Sequence, residues 1–162
     1  MPKLNAESGK QIYYEDYGQG EAALFLIHGW GMSLRTWDYS LQALVNAGLR
    51  VVLLDHRCCG NSDKDFQDRG ISMIADDVVA IVRDLHLSKV VVNGWSLGGA
   101  VATASAERLG EVCSGLVLTC GASPVYLQKS DFPHGGTEDT LAETVQAIDT
   151  DRVNFLYGLS QG

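Results

Sequence analysis

Short apolar runs alternate along the chain with stretches whose apolar residues recur at helical spacing. The runs are rich in β-branched, aliphatic and aromatic residues, which predicts strands; they lie at residues 11–17, 22–27, 51–54, 90–92 and 115–118. Most of the runs are apolar at consecutive positions rather than at alternate ones. Because a strand buried on both faces has no polar side to present, this pattern is typical of a parallel sheet.

Three stretches between these runs have the pattern of helices. Apolar residues at helical spacing predict one helix over residues 36–45 and another over 72–85, with Ser72 as the N-cap of the second. Residues 97–109 are small and apolar, which suits a helix packed closely on a sheet. Strands and helices in this alternating order form right-handed crossover units, so the sequence predicts an α/β fold with a mostly parallel sheet and flanking helices.

The pattern changes after Pro124. Residues 140–143 (TLAE) have the form of a capping box, and apolar residues follow them at helical spacing. A further helix is predicted to begin near Asp151. We therefore expect residues 1–122 to form a core and residues 123–162 to begin a helical cap, with no further strand before Gly162.

Composition excludes several classes of function. Hydrophobic residues make up 46% of the 162 positions and charged residues 20%, as in ordinary globular domains. The net charge of −8 disfavours nucleic-acid partners and anionic membrane surfaces. The first ten residues have no apolar signal region, so a cytoplasmic location is expected. Four cysteines without a CxxC pair predict free thiols and no metal site.

The strongest chemical signal is the segment GWSLGG at residues 94–99. It fits the G-x-S-x-G pattern, and it stands where that pattern is informative, after an apolar strand and before a predicted helix. Such a turn presents Ser96 as a nucleophile, and it requires very small residues on either side, here Gly94, Gly98 and Gly99. The alternative, a glycine-rich turn with an idle serine, is disfavoured by this context.

A second signal is the segment HGWG at residues 28–31, directly after the strand at 22–27. Acyl transfer needs two N–H donors directed at the oxyanion that develops on the substrate. In this arrangement, one donor is the backbone N–H of Leu97 and the other that of Trp30. We interpret His28 as a structural residue that holds this loop by hydrogen bonds, rather than as a catalytic base.

With these segments the chain resembles the α/β-hydrolase superfamily over nearly its whole length. The segments that carry the resemblance are LFLIHGWGMSLRTW, VVLLDHRCCGNSDK, the predicted helix at 72–85, and VVVNGWSLGGAVA. HGWGM together with GWSLGG is similar to methyl-ester esterases that act on pimeloyl-acyl carrier protein. HGW, LRVVLLDHRCCGNSD and DRVNF are similar to cofactor-free haloperoxidases that act as esterases and perhydrolases. Both likenesses imply attack by serine on a carboxylic ester, and they do not separate the two groups.

The resemblance also implies a structural turn of the form D-x-R-x-x-G-x-S-D. The matching residues are Asp55, Arg57, Gly60, Ser62 and Asp63. Cys58 stands where the family usually has glycine. Asp55 and Asp63 are interpreted as acceptors of hydrogen bonds within the turn rather than as catalytic acids.

A catalytic base is missing from the expected place. A serine hydroxyl is a weak nucleophile without an adjacent base, and in this family the acid and the histidine follow the nucleophile in the sequence. Only His134 follows Ser96, in a loop that leads into the predicted cap. We therefore expect the acid and the histidine to lie beyond Gly162 and the chain to be a fragment that lacks the last strands of the fold.

The sequence thus predicts a carboxylic ester hydrolase that acts through an acyl-Ser96 intermediate on a small-molecule ester, without a metal or organic cofactor. Two alternatives stay open. One is a non-catalytic hydrolase-like domain that binds a ligand or partner, and the other is a C–C or lactone hydrolase built on the same turn. The oligomeric state is not indicated.

Overall fold

A computed structural model describes residues 3–122 and 125–161. The chain divides into two compact units, Met1–Pro124 and Val125–Gly162. The predicted start of the cap at Ser123 lies outside the described residues, as does Pro124. The first unit contains the sheet and every residue of the sequence-predicted site.

Six strands form the sheet: β1 (Lys3–Asn5), β2 (Gln11–Tyr17), β3 (Ala22–Ile27), β4 (Val51–Leu54), β5 (Lys89–Trp95) and β6 (Cys113–Thr119). They are ordered β1-β2-β4-β3-β5-β6. The strands β4, β3, β5 and β6 run parallel to one another. β2 pairs antiparallel with β4, and β1 pairs antiparallel with β2. The prediction of an α/β fold with a mostly parallel sheet is confirmed.

Three helices of the first unit cover the sheet: α1 (Asp38–Asn46), α2 (Ile71–Asp84) and α3 (Leu97–Leu109). α2 begins one residue before Ser72, so the predicted N-cap is wrong. Gly70 takes that position with an extended backbone, and its N–H donates to Asp68 Oδ1 over 2.8 Å. α1 begins later than predicted because residues 34–37 form a 3₁₀ turn.

The core lies on both faces of the parallel strands. On one face, β-strand side chains such as Phe25, Val52 and Val92 pack with residues of α2 and α3. On the other face, Leu26 and Leu53 pack with residues of α1. The first turns of α3 are buried and very small, with two glycines and two alanines among residues 98–102. This composition lets α3 approach the sheet closely, which positions the turn that precedes it.

β6 is the edge strand of the described sheet. Leu116, Val117 and Leu118 on it are between 41% and 51% exposed. An edge strand of this kind has backbone groups and apolar side chains that a further strand could cover.

The second unit contains one long helical segment, α4 (Glu138–Gln161). Thr137 Oγ1 accepts the N–H of Thr140 over 3.1 Å, so the helix is capped at Thr137. The predicted capping box that begins at Thr140 is therefore wrong. α4 breaks at Asp151, where φ is −153° and ψ is 81°, and Asp151 Oδ1 accepts the N–H of Asn154. The prediction of a new helix beginning there is confirmed.

Candidate active site

Ser96 is the single residue between β5 and α3, and its backbone has φ 53° and ψ −122°. A non-glycine residue in this left-handed region costs of the order of 1–3 kcal/mol, and such strain clusters at functional sites. Backbone hydrogen bonds hold the conformation. The Ser96 N–H donates to the carbonyl of Thr119 (3.1 Å), and the Ser96 carbonyl accepts from the N–H groups of Gly99 (2.8 Å) and Ala122 (2.7 Å).

The glycines around Ser96 have no room for a side chain. A β-carbon added at Gly94 would lie 2.0 Å from the carbonyl oxygen of Gly98, and one added at Gly98 would lie 2.4 Å from that of Ile27. A β-carbon at Gly99 would lie 2.5 Å from Gly121 Cα. All three contacts are with backbone atoms, which cannot move away by a side-chain rotation. The turn therefore requires glycine at residues 94, 98 and 99.

The loop at residues 28–31 lies directly against this turn. A β-carbon added at Gly29 would lie 3.1 Å from Ser96 Cβ and 3.0 Å from Cε3 of the Trp95 ring. Trp30 follows in the chain, and its side chain is 46% exposed. Leu97 is the first residue of α3, so its N–H is among those that have no acceptor within the helix. The two sequence-predicted donors, Trp30 and Leu97, thus belong to adjacent segments at the carboxyl edge of the sheet.

His28 is fully buried, and both of its ring nitrogens form hydrogen bonds. Nδ1 lies 2.8 Å from the carbonyl oxygen of Gly29, and Nε2 accepts the N–H of His56 over 3.0 Å. Burial lowers the pKa of His28 below its usual value, although the Gly29 carbonyl and Asp55 oppose that shift. The interpretation of His28 as a structural residue that holds the loop is confirmed.

Asp55 holds two segments of backbone together. Its Oδ1 accepts the N–H of Leu34 over 2.8 Å, and its Oδ2 accepts that of Asn61 over 2.7 Å. Asp63 Oδ2 accepts the N–H of Gln11 over 2.8 Å. Both carboxylates thus accept backbone hydrogen bonds, as the sequence predicts, but only the bond from Asn61 lies within the turn; the other two join the turn to Leu34 and to β2. Cys58, which replaces the usual glycine, has φ 64°, a conformation that favours glycine.

Replacing Asp55 with alanine is expected to lower the free energy of unfolding by about 2–4 kcal/mol, because the buried N–H of Leu34 and the partly buried N–H of Asn61 lose a charged acceptor. Chemical denaturation of the two proteins measures the difference. Asp65→Ala is the matched control, since the Asp65 carboxylate is 76% exposed and, among the described residues, forms an ion pair with Lys10 alone; a change within about 1 kcal/mol is expected there. Equal losses in both variants would contradict the structural role of Asp55.

The other three histidines have different surroundings. His56 is 2% exposed, and its ring stacks on that of His28. His86 lies between α2 and β5, near the amino end of β5, whereas Ser96 follows its carboxyl end. Because this strand has seven residues and is about 20 Å long, it separates His86 from Ser96. His134 belongs to the second unit, where its ring meets the edge of Phe132.

The described residues contain no group of three or more His, Cys, Asp or Glu side chains that could hold a metal ion. All four cysteines are free thiols. Among the helices of residues 3–122 and 125–161, none is long and apolar enough to cross a membrane.

Known proteins resemble this chain in sequence and in fold. A non-heme haloperoxidase from Rhodococcus erythropolis is 32% identical over 163 residues, which cover 100% of this chain and 59% of that protein. A pimeloyl-[acyl-carrier protein] methyl ester esterase from Yersinia pseudotuberculosis is 31% identical over 124 residues, 76% of this chain and 45% of that protein. An esterase from Exiguobacterium antarcticum superposes with a TM-score of 0.88 at 29% identity, over 98% of this chain and 59% of the esterase.

The chain spans about three fifths of the length of the haloperoxidase and of the esterase. Both groups that the sequence resembles, haloperoxidases and pimeloyl methyl ester esterases, are among its relatives, so the predicted resemblance is confirmed. The alpha/beta hydrolase fold family matches residues 22–162. With the strand order and the strained turn at Ser96, this match shows that the chain belongs to the α/β hydrolase fold family.

Proposed function

We propose that this protein is a carboxylic ester hydrolase and that Ser96 is its nucleophile. The observation that carries the proposal is the left-handed backbone of Ser96 between β5 and α3, with the loop at residues 28–31 packed against it. A strained serine at a strand-to-helix turn is the arrangement that exposes a nucleophile in this fold. The esterases among the relatives and structural neighbours support an ester as substrate.

In the proposed reaction, Ser96 Oγ attacks the carbonyl carbon of the ester while a base takes its proton. The tetrahedral intermediate carries its negative charge on the former carbonyl oxygen, which accepts hydrogen bonds from the N–H groups of Trp30 and Leu97. The intermediate collapses, the proton passes to the departing alcohol, and the acyl group stays on Ser96. Water then attacks the acyl-Ser96 carbonyl in the same way, which releases the acid and restores the serine.

The start of α3 favours this charge development. A helix of 13 residues begins directly after Ser96, and the aligned peptide dipoles place partial positive charge at its N-terminus. After Leu97 the first turn consists of Gly98, Gly99 and Ala100, whose small or absent side chains leave room for substrate beside the backbone N–H groups. Because these donors are fixed before substrate binds, they need no rearrangement as the negative charge forms.

We further propose that the base and the acid come from residues outside positions 1–162. Among the described residues, His28 uses both ring nitrogens for the loop, and His86 lies at the opposite edge of the sheet from Ser96. The order of residues in this family places both groups after the nucleophile. In this proposal the 162 residues provide the nucleophile and the oxyanion donors, and the proton transfer needs the remaining part of the fold.

This proposal is tested by p-nitrophenyl acetate hydrolysis with the purified chain, alone and with the C-terminal two fifths of a related esterase supplied as a fused or separate segment. The chain alone is expected to accelerate hydrolysis by no more than roughly a thousand-fold over water, through its oxyanion donors and binding. With the added segment, ordinary enzyme rates are expected.

Single alanine variants of His28, His56, His86 and His134 complete the experiment. If the chain alone reaches ordinary enzyme rates and one of these variants loses them, the base is internal. That result would overturn the assignment of the base to residues outside positions 1–162. If activity stays absent although the added segment binds and folds, a non-catalytic binding domain is the better account.

A further inference from the structure

His28 and His56 form a closely packed pair beneath the loop at residues 28–31. Their ring centroids lie 3.8 Å apart and the planes differ by 21°, so the rings are stacked. His28 is 0% exposed and His56 is 2% exposed. The pair lies where β3 and β4 end, at the same edge of the sheet as Ser96, and the resemblance to known proteins assigns His56 no function.

The hydrogen bonds of His28 allow only one protonation state. Nε2 accepts the backbone N–H of His56, so it carries no proton, and Nδ1 is therefore the nitrogen that donates to the Gly29 carbonyl. The ring thereby links the end of β4 to the loop that bears Trp30. A proton on Nε2 would set two N–H groups against each other and break this link.

His56 adds to the cost of protonation. Its Nε2 is buried and has no hydrogen-bond partner among the described residues. Burial, and then the neighbouring His28, lower the pKa of His56 well below its usual value. Burial likewise lowers that of His28. A charge on either ring would lie in a buried site against the other ring, where solvation of the charge is poor.

The surrounding charged groups offer little compensation. Asp55 is the acidic group that favours a charge on His28, but its two oxygens already accept backbone N–H groups. Arg57 directs its guanidinium to Asp77 and Glu7. On the side of the turn at Ser96, α3 faces the loop with Gly98, which has no titratable group.

We propose that His28 and His56 form a protonation-sensitive latch, which holds the loop at residues 28–31 against Ser96 while both rings are neutral and releases it when they take up protons. The latch is closed at neutral pH and opens on acidification. Release frees the loop that bears Trp30 while the sheet stays intact.

The direction of the pH dependence follows from proton linkage. Both histidines have a lower pKa in the folded loop than in the open chain, so the open form binds more protons. The closed loop is fully favoured above about pH 6.5, the ordinary value for histidine. Its advantage falls as the pH drops from there through the lowered pKa values of the folded state.

Long-range proton–nitrogen NMR spectra of the purified chain test the latch directly. At about pH 6.5, both rings are expected to be neutral, with the Nδ1–H tautomer at His28. On acidification, the indole signals of Trp30 and Trp95 should shift in the same pH step as the two histidines, while the far-ultraviolet circular dichroism stays constant. A charged His28 at about pH 6.5, unmoved indole signals, or loss of the circular dichroism in that step would each overturn the proposal.

His56→Phe is the informative variant, because it keeps a stacked ring and the backbone N–H but cannot take up a proton. The pH dependence of the indole signals should become shallower, from nearly two protons per chain to about one. His86→Asn is the control: this histidine is exposed and has φ 51°, which asparagine tolerates, and it should leave the slope unchanged. An unchanged slope in His56→Phe would overturn the role of His56.

The consequence for catalysis rests on the proposed function. If Trp30 provides an oxyanion donor, reaction of Ser96 with a fluorophosphonate, measured in the form supplied with the C-terminal segment, should slow in the same pH step. A latch that opens in the NMR spectra without any effect on this reaction would support the latch and contradict the role of Trp30.

Discussion

Ser96→Ala is expected to lower kcat for ester hydrolysis by about a million-fold in a catalytically complete form of the protein. The reason is that no covalent acyl-enzyme can form without the hydroxyl. The oxyanion donors stay in place, so a residual acceleration of roughly a thousand-fold over water should remain. Initial rates of p-nitrophenyl acetate hydrolysis, with the active protein and its variant at equal concentration, measure the loss.

Ser105→Ala is the matched control for this substitution. Ser105 lies in α3, is fully buried, and donates only to the carbonyl of Val101 one turn earlier. The Val101 carbonyl also takes part in the helix backbone. Loss of the Ser105 hydroxyl is therefore expected to leave kcat within about two-fold and to change the free energy of unfolding by less than about 1 kcal/mol. Normal turnover by Ser96→Ala would exclude Ser96 as the nucleophile.

Gly98→Ala is expected to lower the free energy of unfolding by about 3 kcal/mol or more and to remove activity. The new β-carbon would lie 2.4 Å from the carbonyl oxygen of Ile27 and 2.6 Å from that of His28. Either α3 or the strand end must move, and both displacements separate Ser96 from the loop that follows β3. The valine variant should be worse, since its branched side chain adds two further atoms.

Gly115→Ala is the control for the effect of losing glycine itself. Its β-carbon would meet only the Val91 side chain, at 3.5 Å, which is ordinary van der Waals contact. Thermal unfolding of the two variants should therefore differ markedly, with Gly115→Ala close to the parent protein. Equal melting temperatures for the two variants, with full activity in Gly98→Ala, would show that the turn has more room than the structure indicates.

Much of the sheet could be predicted from the sequence because buried strands leave a strong local pattern. The runs at 22–27 and 51–54 coincide with β3 and β4, and α3 begins and ends where its composition predicts. β1 is missing from the prediction because KLN has no apolar periodicity, and its pairing with β2 depends on backbone hydrogen bonds. Sequence order alone does not give the position of β4 between β2 and β3.

The positions of the helix caps are predicted less well than the strands. Ser72 and Thr140 are good cap residues by type, but the caps depend on where the preceding chain turns, at Gly70 and Thr137. The packing of His56 on His28 is likewise absent from the sequence pattern. These residues lie 28 positions apart, and only the parallel pairing of β3 with β4 brings them together.

The candidate site was accessible to sequence reasoning because its constraints are steric. Three closely spaced glycines after a strand specify a tight turn, and the structure shows backbone atoms within 2.6 Å of each added β-carbon. The hydrogen bonds that Ser96 donates to Thr119 and accepts from Ala122 could not be predicted, since they involve only backbone atoms and depend on β6 lying beside β5.

Mass spectrometry of the covalent intermediate shows whether Ser96 carries the acyl group. The active form is mixed with excess p-nitrophenyl acetate, quenched in acid within the first turnover, and digested. We expect one acetyl group per chain, on the peptide that contains Ser96, and none in Ser96→Ala. An acetyl group that turns over at the steady-state rate on any other residue, or full activity without an adduct at Ser96, would contradict it.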